Sequence, residues 1–172
     1  MAYQFSLSRY YITPDHDEKL EAFSNASGDS RQMLIMQYTR GWLGRNRPYY
    51  TQLAVLDLQK REIAPSLWAN IVLEQGFKGL PPYTSPILEH EIPKDPLAHI
   101  VLPDDVIEKQ SNYFPLTRQN YLLLRTAIHF DGSSATKFIS KIIHEQLCRN
   151  WDSLYASQVD AETNDDWLKG EL

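Results

Sequence analysis

Two short turns, Gly28-Asp29-Ser30 and Gly132-Ser133-Ser134, carry residue types that open a helix and leave backbone N–H groups free at its start. Such a start can hold an anionic oxygen, that of a phosphate above all. Arg31 and Lys137 follow in the first helical turn. A cation there is unfavourable to the helix dipole by about 0.3–1 kcal/mol, and an arriving phosphate would reverse that sign. The plainer reading makes both turns ordinary caps with solvated cations. A second cluster, Arg40, Trp42, Arg45, Arg47, Tyr49 and Tyr50, interleaves cations with aromatic rings, as nucleic-acid-binding surfaces do. The alternative is that Trp42 and one tyrosine complete a core while the arginines stay in water.

Five histidines invite acid–base or metal chemistry. His16 has carboxylates on both sides, His90 lies between Glu89 and Glu91, and His144 precedes Glu145. Neighbours in a helix point to different sides, so these make poor ligand pairs. HExxH, paired Cys-x-x-Cys, GxSxG and a phosphate-cradling glycine loop are all missing. The expectation is a protein that is not an enzyme, with no catalytic residues, no metal site and no cofactor.

The composition is that of a globular protein, 42% hydrophobic and 23% charged over 172 residues. Apolar runs are too short for a membrane span. MAYQFSLSRYY has no basic region followed by an apolar core, so no signal peptide is expected. Cys148 is the only cysteine, which excludes an intrachain disulfide and fits a reducing, cytoplasmic setting. The net charge of −5 is unevenly spread. Asp160, Glu162, Asp165, Asp166 and Glu171 stand near the end against Lys169 alone, leaving 16 of the 17 basic and 17 of the 22 acidic residues elsewhere.

The elements that must position these groups follow from periodicity and punctuation. Residues 3–12 are aromatic and β-favouring, a strand. Its facing is open: Phe5 and Leu7 inward aim Gln4, Ser6 and Ser8 outward, whereas Tyr10 and Ile12 inward aim Arg9 outward. Thr13-Pro14 starts a helix that ends near Gly28. A second helix places Leu34, Ile35, Tyr38 and Trp42 on one face and is closed by Gly41, Gly44 and Pro48. Thr51–Leu58 alternates like a strand, and Ser66–Gln75 is helical. Five prolines between 79 and 98 mark a linker or a long surface loop. His99–Leu102 is expected as a short strand and Asp104–Gln110 as a short helix. Residues 111–116 are a strand in which Pro115 removes a ladder donor. Thr117 caps a helix carrying Tyr121, Leu124 and Ile128. Ser133 or Ser134 caps the next, with Phe138, Ile139, Ile142, Ile143 and Leu147 on one side and Lys137, Lys141, Glu145 and Arg149 on the other. The stretch after Tyr155 is expected to be mobile unless a partner holds it.

Sliding the chain against itself by 104 residues aligns 12–46 with 116–150 and matches eight of 35 positions. Thr13 falls on Thr117, Leu20 on Leu124, Gly28 on Gly132, Ser30 on Ser134, Ile35 on Ile139, Leu43 on Leu147, Arg45 on Arg149 and Asn46 on Asn150. These are caps, turns and core positions, where structure dictates residue type. Each copy resembles the ribbon–helix–helix fold of small bacterial repressors, antitoxins and plasmid partition proteins.

The resemblance implies a mainly α chain with short strands. Two such units, 1–50 and 111–156, form a pseudo-dimer joined by a mixed, Pro-rich connection (51–110) and trailed by an acidic tail (157–172). It further implies sequence-dependent DNA binding in transcriptional or plasmid-maintenance regulation. Gln4, Ser6, Ser8, Arg9 and Asn112 would face bases from the strands. Ser30, Arg31, Arg40, Arg45, Arg47, Ser133, Ser134, Lys137 and Lys141 would hold phosphates. Antitoxins of this fold bind a protein partner through a trailing segment, here Asp165, Asp166, Trp167 and Leu168. Neither strand is dense in base-reading side chains, so an adaptor or a subunit of a nucleoprotein assembly is the alternative. A monomeric pseudo-dimer and a homodimer both remain open.

Overall fold

In the computed structural model, which describes residues 2–163, the chain is mainly helical with two short two-stranded sheets. Strands β1 (Tyr3–Phe5) and β2 (Arg9–Ile12) lead into helices α1 (Pro14–Ser27) and α2 (Arg31–Arg45). Helices α3 (Arg47–Arg61) and α4 (Pro65–Gln75) follow, then a loop with two 3₁₀ turns. Strands β3 (Ile107–Gln110) and β4 (Phe114–Leu116) return the chain to helices α5 (Arg118–Asp131) and α6 (Ala135–Asn150). A π turn at Trp151–Tyr155 continues α6 into α7 (Ala156–Thr163). No helix of the described residues is long and apolar enough to cross a membrane.

Adding 104 to the bounds of α1 gives those of α5, and α6 starts 104 residues after α2. Both first helices are capped by a threonine that accepts from the backbone N–H three residues on. Both end at a glycine in the left-handed region, Gly28 with φ 77° and Gly132 with φ 71°. Only glycine adopts that conformation without a Cβ penalty. Ser30 and Ser134 then cap α2 and α6 in the same way.

The strands pair with their own counterparts. β1 runs antiparallel to β4 and β2 to β3, and the paired residue numbers add to 119 in both sheets. Residues 3–12 and 107–116 therefore form one ribbon in a single register, interrupted at 6–8 and 111–113. The Ser111 N–H donates to the Ser8 carbonyl across that interruption. Both facings anticipated for the first strand occur, one on each side of the break. Phe5 points inward before it, Leu7 within it, Tyr10 and Ile12 after it, and Ser8 and Arg9 are consecutively exposed. Pro115 sits opposite Gln4 in the three-residue β4.

One main core joins both halves, drawing Leu20, Leu34, Ile35, Leu43, Leu124, Ile139, Ile142 and Leu147 with Phe5 and Phe114. The helix stripes read from the sequence are the buried ones in α2 and α6, while in α5 Tyr121 and Leu124 are buried and Ile128 is half-buried against the core. Glu145 departs from its expected place on the polar face and is buried.

Several expectations between 41 and 110 are corrected. Thr51–Leu58 belongs to α3, whose buried residues Tyr50, Leu53, Asp57 and Arg61 recur at helical spacing. The alternation there came from one apolar face of a helix overlapping half-buried neighbours. Gly41 and Gly44 lie inside α2, and Pro48 opens α3 in its first turn instead of closing α2. His99–Leu102 forms no strand, while 107–110 is a strand and not a helix because β2 offers it a partner. Residues 156–163 are helical and pack on α1, which corrects the expected mobile stretch there.

The connection is anchored by a buried carboxylate. Asp57 is fully buried; its Oδ2 accepts from Arg61 Nε and Trp68 Nε1, each at 2.8 Å. Its Oδ1 accepts from the Tyr83 hydroxyl at 2.6 Å and from Arg61 Nη2 at 3.3 Å. Arg61 also reaches the Pro81 carbonyl at 2.7 Å. α3, α4 and the proline-rich loop are thus fastened at one point. Burial, then the bond to Asp57, pushes the Tyr83 phenol up to about 12. Because that hydroxyl donates to Asp57, it accepts from His129 Nε2 of α5 at 3.2 Å, so the imidazole carries its proton on Nε2. Phe77 stacks on the same ring at 4.2 Å.

Removing a partner from a buried ion pair strands the other charge. Asp57→Ala is expected to lower unfolding free energy by about 3–5 kcal/mol in urea denaturation. Burial also pulls His129 below its ordinary value of 6.5, with Arg61 adding to the shift and Asp57 opposing it. The folded protein keeps the ring neutral while the unfolded chain takes up a proton near 6.5. Stability is therefore full above that pH and falls as pH drops from there toward the folded pKa. Denaturation midpoints measured between pH 7.5 and 5 should decline, and His129→Gln should flatten the decline.

Candidate nucleic-acid interface

The ribbon and the starts of α2 and α6 come together on one side of the fold. α2 reaches the ribbon through Arg31, whose guanidinium donates to the Tyr10 hydroxyl at 2.9 and 3.2 Å, and through Gln32, which donates to the Tyr113 carbonyl. α6 reaches it through Ser140, whose Oγ accepts the Tyr11 N–H at 2.8 Å. That N–H points away from the ribbon ladder and would otherwise need another partner. Two clefts flank the ribbon. One, of about 450 Å³, is lined by Ser8, Arg9, Glu108, Gln110, Ser111 and Thr136. The other, of about 410 Å³, includes Ser30, Arg31, Gln32 and Ser111.

Gln4, Ser6, Ser8, Arg9 and Asn112 are all exposed, as a base-facing set requires. Arg9 is held by Glu108 at 2.8 Å, an exposed pair worth at most about 1 kcal/mol and open to exchange. Ser30 and Ser134 spend their hydroxyls on the N–H groups of Met33 and Lys137. Ser133 donates to Asp131.

The cations divide sharply. Lys137 is exposed and has no ion-pair partner among the described residues. Arg31, the cation in the first turn of α2, is committed: it pairs with Asp17 and with Glu21 at 3.0 Å besides Tyr10. Partial burial opposes its charge, yet the hydrogen bonds with Tyr10, Glu21 and Asp17 hold its pKa above the ordinary value. Lys141 is tied to Asp131 at 3.1 Å. Lys109 of β3 pairs with Asp17 at 3.3 Å. Arg40 and Arg45 are exposed but lie toward the far end of α2, roughly 15–23 Å along the helix from Ser30, and the exposed Arg47 opens α3 beyond it. The structure does not bring them to the ribbon. Among their aromatic neighbours, Trp42 and Tyr50 are core residues joined by an indole–hydroxyl bond of 2.9 Å. Arg45 donates to Gln146 at 3.0 Å. The tail set Asp165, Asp166, Trp167 and Leu168 lies outside the described residues.

One cluster escaped the sequence reading. His16 of α1 meets His144 and Cys148 of α6, with their donor atoms all within 4.8 Å of one another. Each histidine was weighed against adjacent carboxylates, whereas the informative signal is the four-residue spacing of His144 and Cys148, which places both on one helix face.

No family model, curated protein or solved structure matches this chain.

Arg31 is expected to act as an internal strut joining β2, α1 and α2. Arg31→Ala should cost about 1.5–3 kcal/mol in urea denaturation, the range for hydrogen bonds to charged groups. Lys137→Ala, lacking such partners, should leave stability within about 0.5 kcal/mol of the parent chain.

Proposed function

We propose that the chain is a DNA-binding protein of the ribbon–helix–helix kind, with its two units on one polypeptide, acting in transcriptional or plasmid-maintenance regulation. The observation that carries this reading is the antiparallel ribbon formed by residues 3–12 with their own counterparts 107–116, flanked by the capped starts of α2 and α6. A two-stranded ribbon fits the major groove, and helix starts on either side fit phosphates of the two flanking backbones. Gln4, Ser6, Ser8, Arg9 and Asn112 offer donors and acceptors to base edges from that ribbon. Lys137 supplies the available cation at one helix start.

A second reading rests on the same surface. Arg9, Lys109 and Arg31 are balanced by Glu108, Asp17 and Glu21, while Tyr113 and Met33 are 51% and 41% exposed beside the ribbon. A surface whose charges are internally paired, with exposed aromatic and thioether groups, suits a protein partner in a larger assembly.

Retardation of random and genomic duplexes across a salt series separates the two. The DNA reading expects affinity to fall log-linearly with salt. Lys137→Ala should weaken binding to all sequences alike and lower the slope by about 1. Absence of any retarded duplex at 50 mM salt (roughly the lower end at which phosphate contacts dominate) would sink it in favour of the protein-partner reading.

A further inference from the structure

We infer that His16, His144 and Cys148 form a binding site for a zinc-class divalent cation bridging α1 and α6. The Cys148 sulfur lies 3.6 Å from His144 Nε2 and 3.8 Å from His16 Nε2. Zinc holds thiolate at about 2.3 Å and imidazole nitrogen at about 2.0–2.1 Å, so a tetrahedral angle separates sulfur and nitrogen by about 3.5 Å. Both measured separations are within a few tenths of an ångström of that edge. The two imidazole rings sit 4.9 Å apart and tilted by 49°, so neither stacks flat on the other. Three protein donors leave a fourth position for a further ligand, and Cys148 itself is exposed.

Imidazole nitrogen and thiolate sulfur together are a donor set that zinc takes. Binding is then Cys–SH plus M²⁺ giving a Cys–S–M bond and one released proton, with no change of oxidation state. Glu145, next to His144 in the chain, is 5% exposed and pairs through Oε1 with Arg149 at 3.1 Å, while its Oε2 has no hydrogen-bond partner among the described residues. The architecture itself does not demand these three residues. At the positions related by 104, the chain has Asn120, Arg40 and Gly44, and the same helix pair folds there without a donor set.

The test uses the full, reduced, chelator-stripped chain titrated with Co²⁺ and then Zn²⁺. One equivalent of Co²⁺ should give a thiolate-to-cobalt charge-transfer band with visible bands of tetrahedral intensity, and Zn²⁺ should abolish both. Zinc should also slow alkylation of Cys148 by a maleimide and raise the thermal midpoint. Cys148→Ser, at an exposed position, should erase the charge-transfer band. His144→Ala should weaken Co²⁺ by more than the about 10–100-fold that loss of an outer-shell partner costs. A missing charge-transfer band, unchanged alkylation with zinc, or affinity unaltered in Cys148→Ser would each overturn the assignment. The two variants lie on α6 at partly or fully exposed positions, and circular dichroism checks that both fold.

Discussion

Everything in this molecule depends on the pairing of residues 3–12 with 107–116. Ten residues at one end of the sequence find ten residues about a hundred positions away, in one register. That pairing sets Phe5 against Phe114 at 5.6 Å and brings α2 onto α6, so neither half has a complete core alone. A two-stranded ribbon is marginal in water unless helices cover it. The four helices of the two halves provide the cover, and the segment between them adds Leu53 and Leu97 to the same core.

That segment is the more instructive half of the comparison between sequence and structure. The helical hairpins were legible because each signal has a local cause: threonine and serine caps, glycines at positive φ, and apolar residues every three or four positions. The 104-residue repeat was legible for the same reason, and it is repeated in the element bounds. What misled was α3, where Leu53, Val55 and Asp57 mimic alternation although the residue that decides its buried face is charged. No pattern of apolar residues anticipates an aspartate at the centre of a packed cluster. β3 was equally opaque, because IEKQ has no strand signature and becomes a strand only when Arg9–Ile12 lies beside it. The cation positions were visible, but their availability was not, since Asp17 and Asp131 engage them from other elements.

Electrostatics, more than shape, separates this fold surface from a simple basic patch. Asp17 alone engages Arg31 and Lys109, drawing α1, α2 and β3 together at the edge of the ribbon. Such a network orders the helix starts while neutralising them. The exposed cations outside that network, among them Arg40 and Arg45 of α2, Arg47 of α3, Arg118 of α5 and Lys137 of α6, are scattered over several helices, so any field the chain presents to a polyanion is local on a chain of net charge −5.

The ribbon also sets the order in which the polypeptide can mature. Residues 3–12 are made before their partners, which emerge only after some hundred further residues have been added. At about 5–20 residues per second, the N-terminal strand waits for several seconds or more with its ladder groups unpaired. Contacts of such long sequence separation also close slowly. Ser6, Ser8 and the charged Arg9 on that strand, and the proline in β4, make both segments poor templates for pairing with other chains. A strand that waits longest for its partner is thus built to be unattractive to strangers.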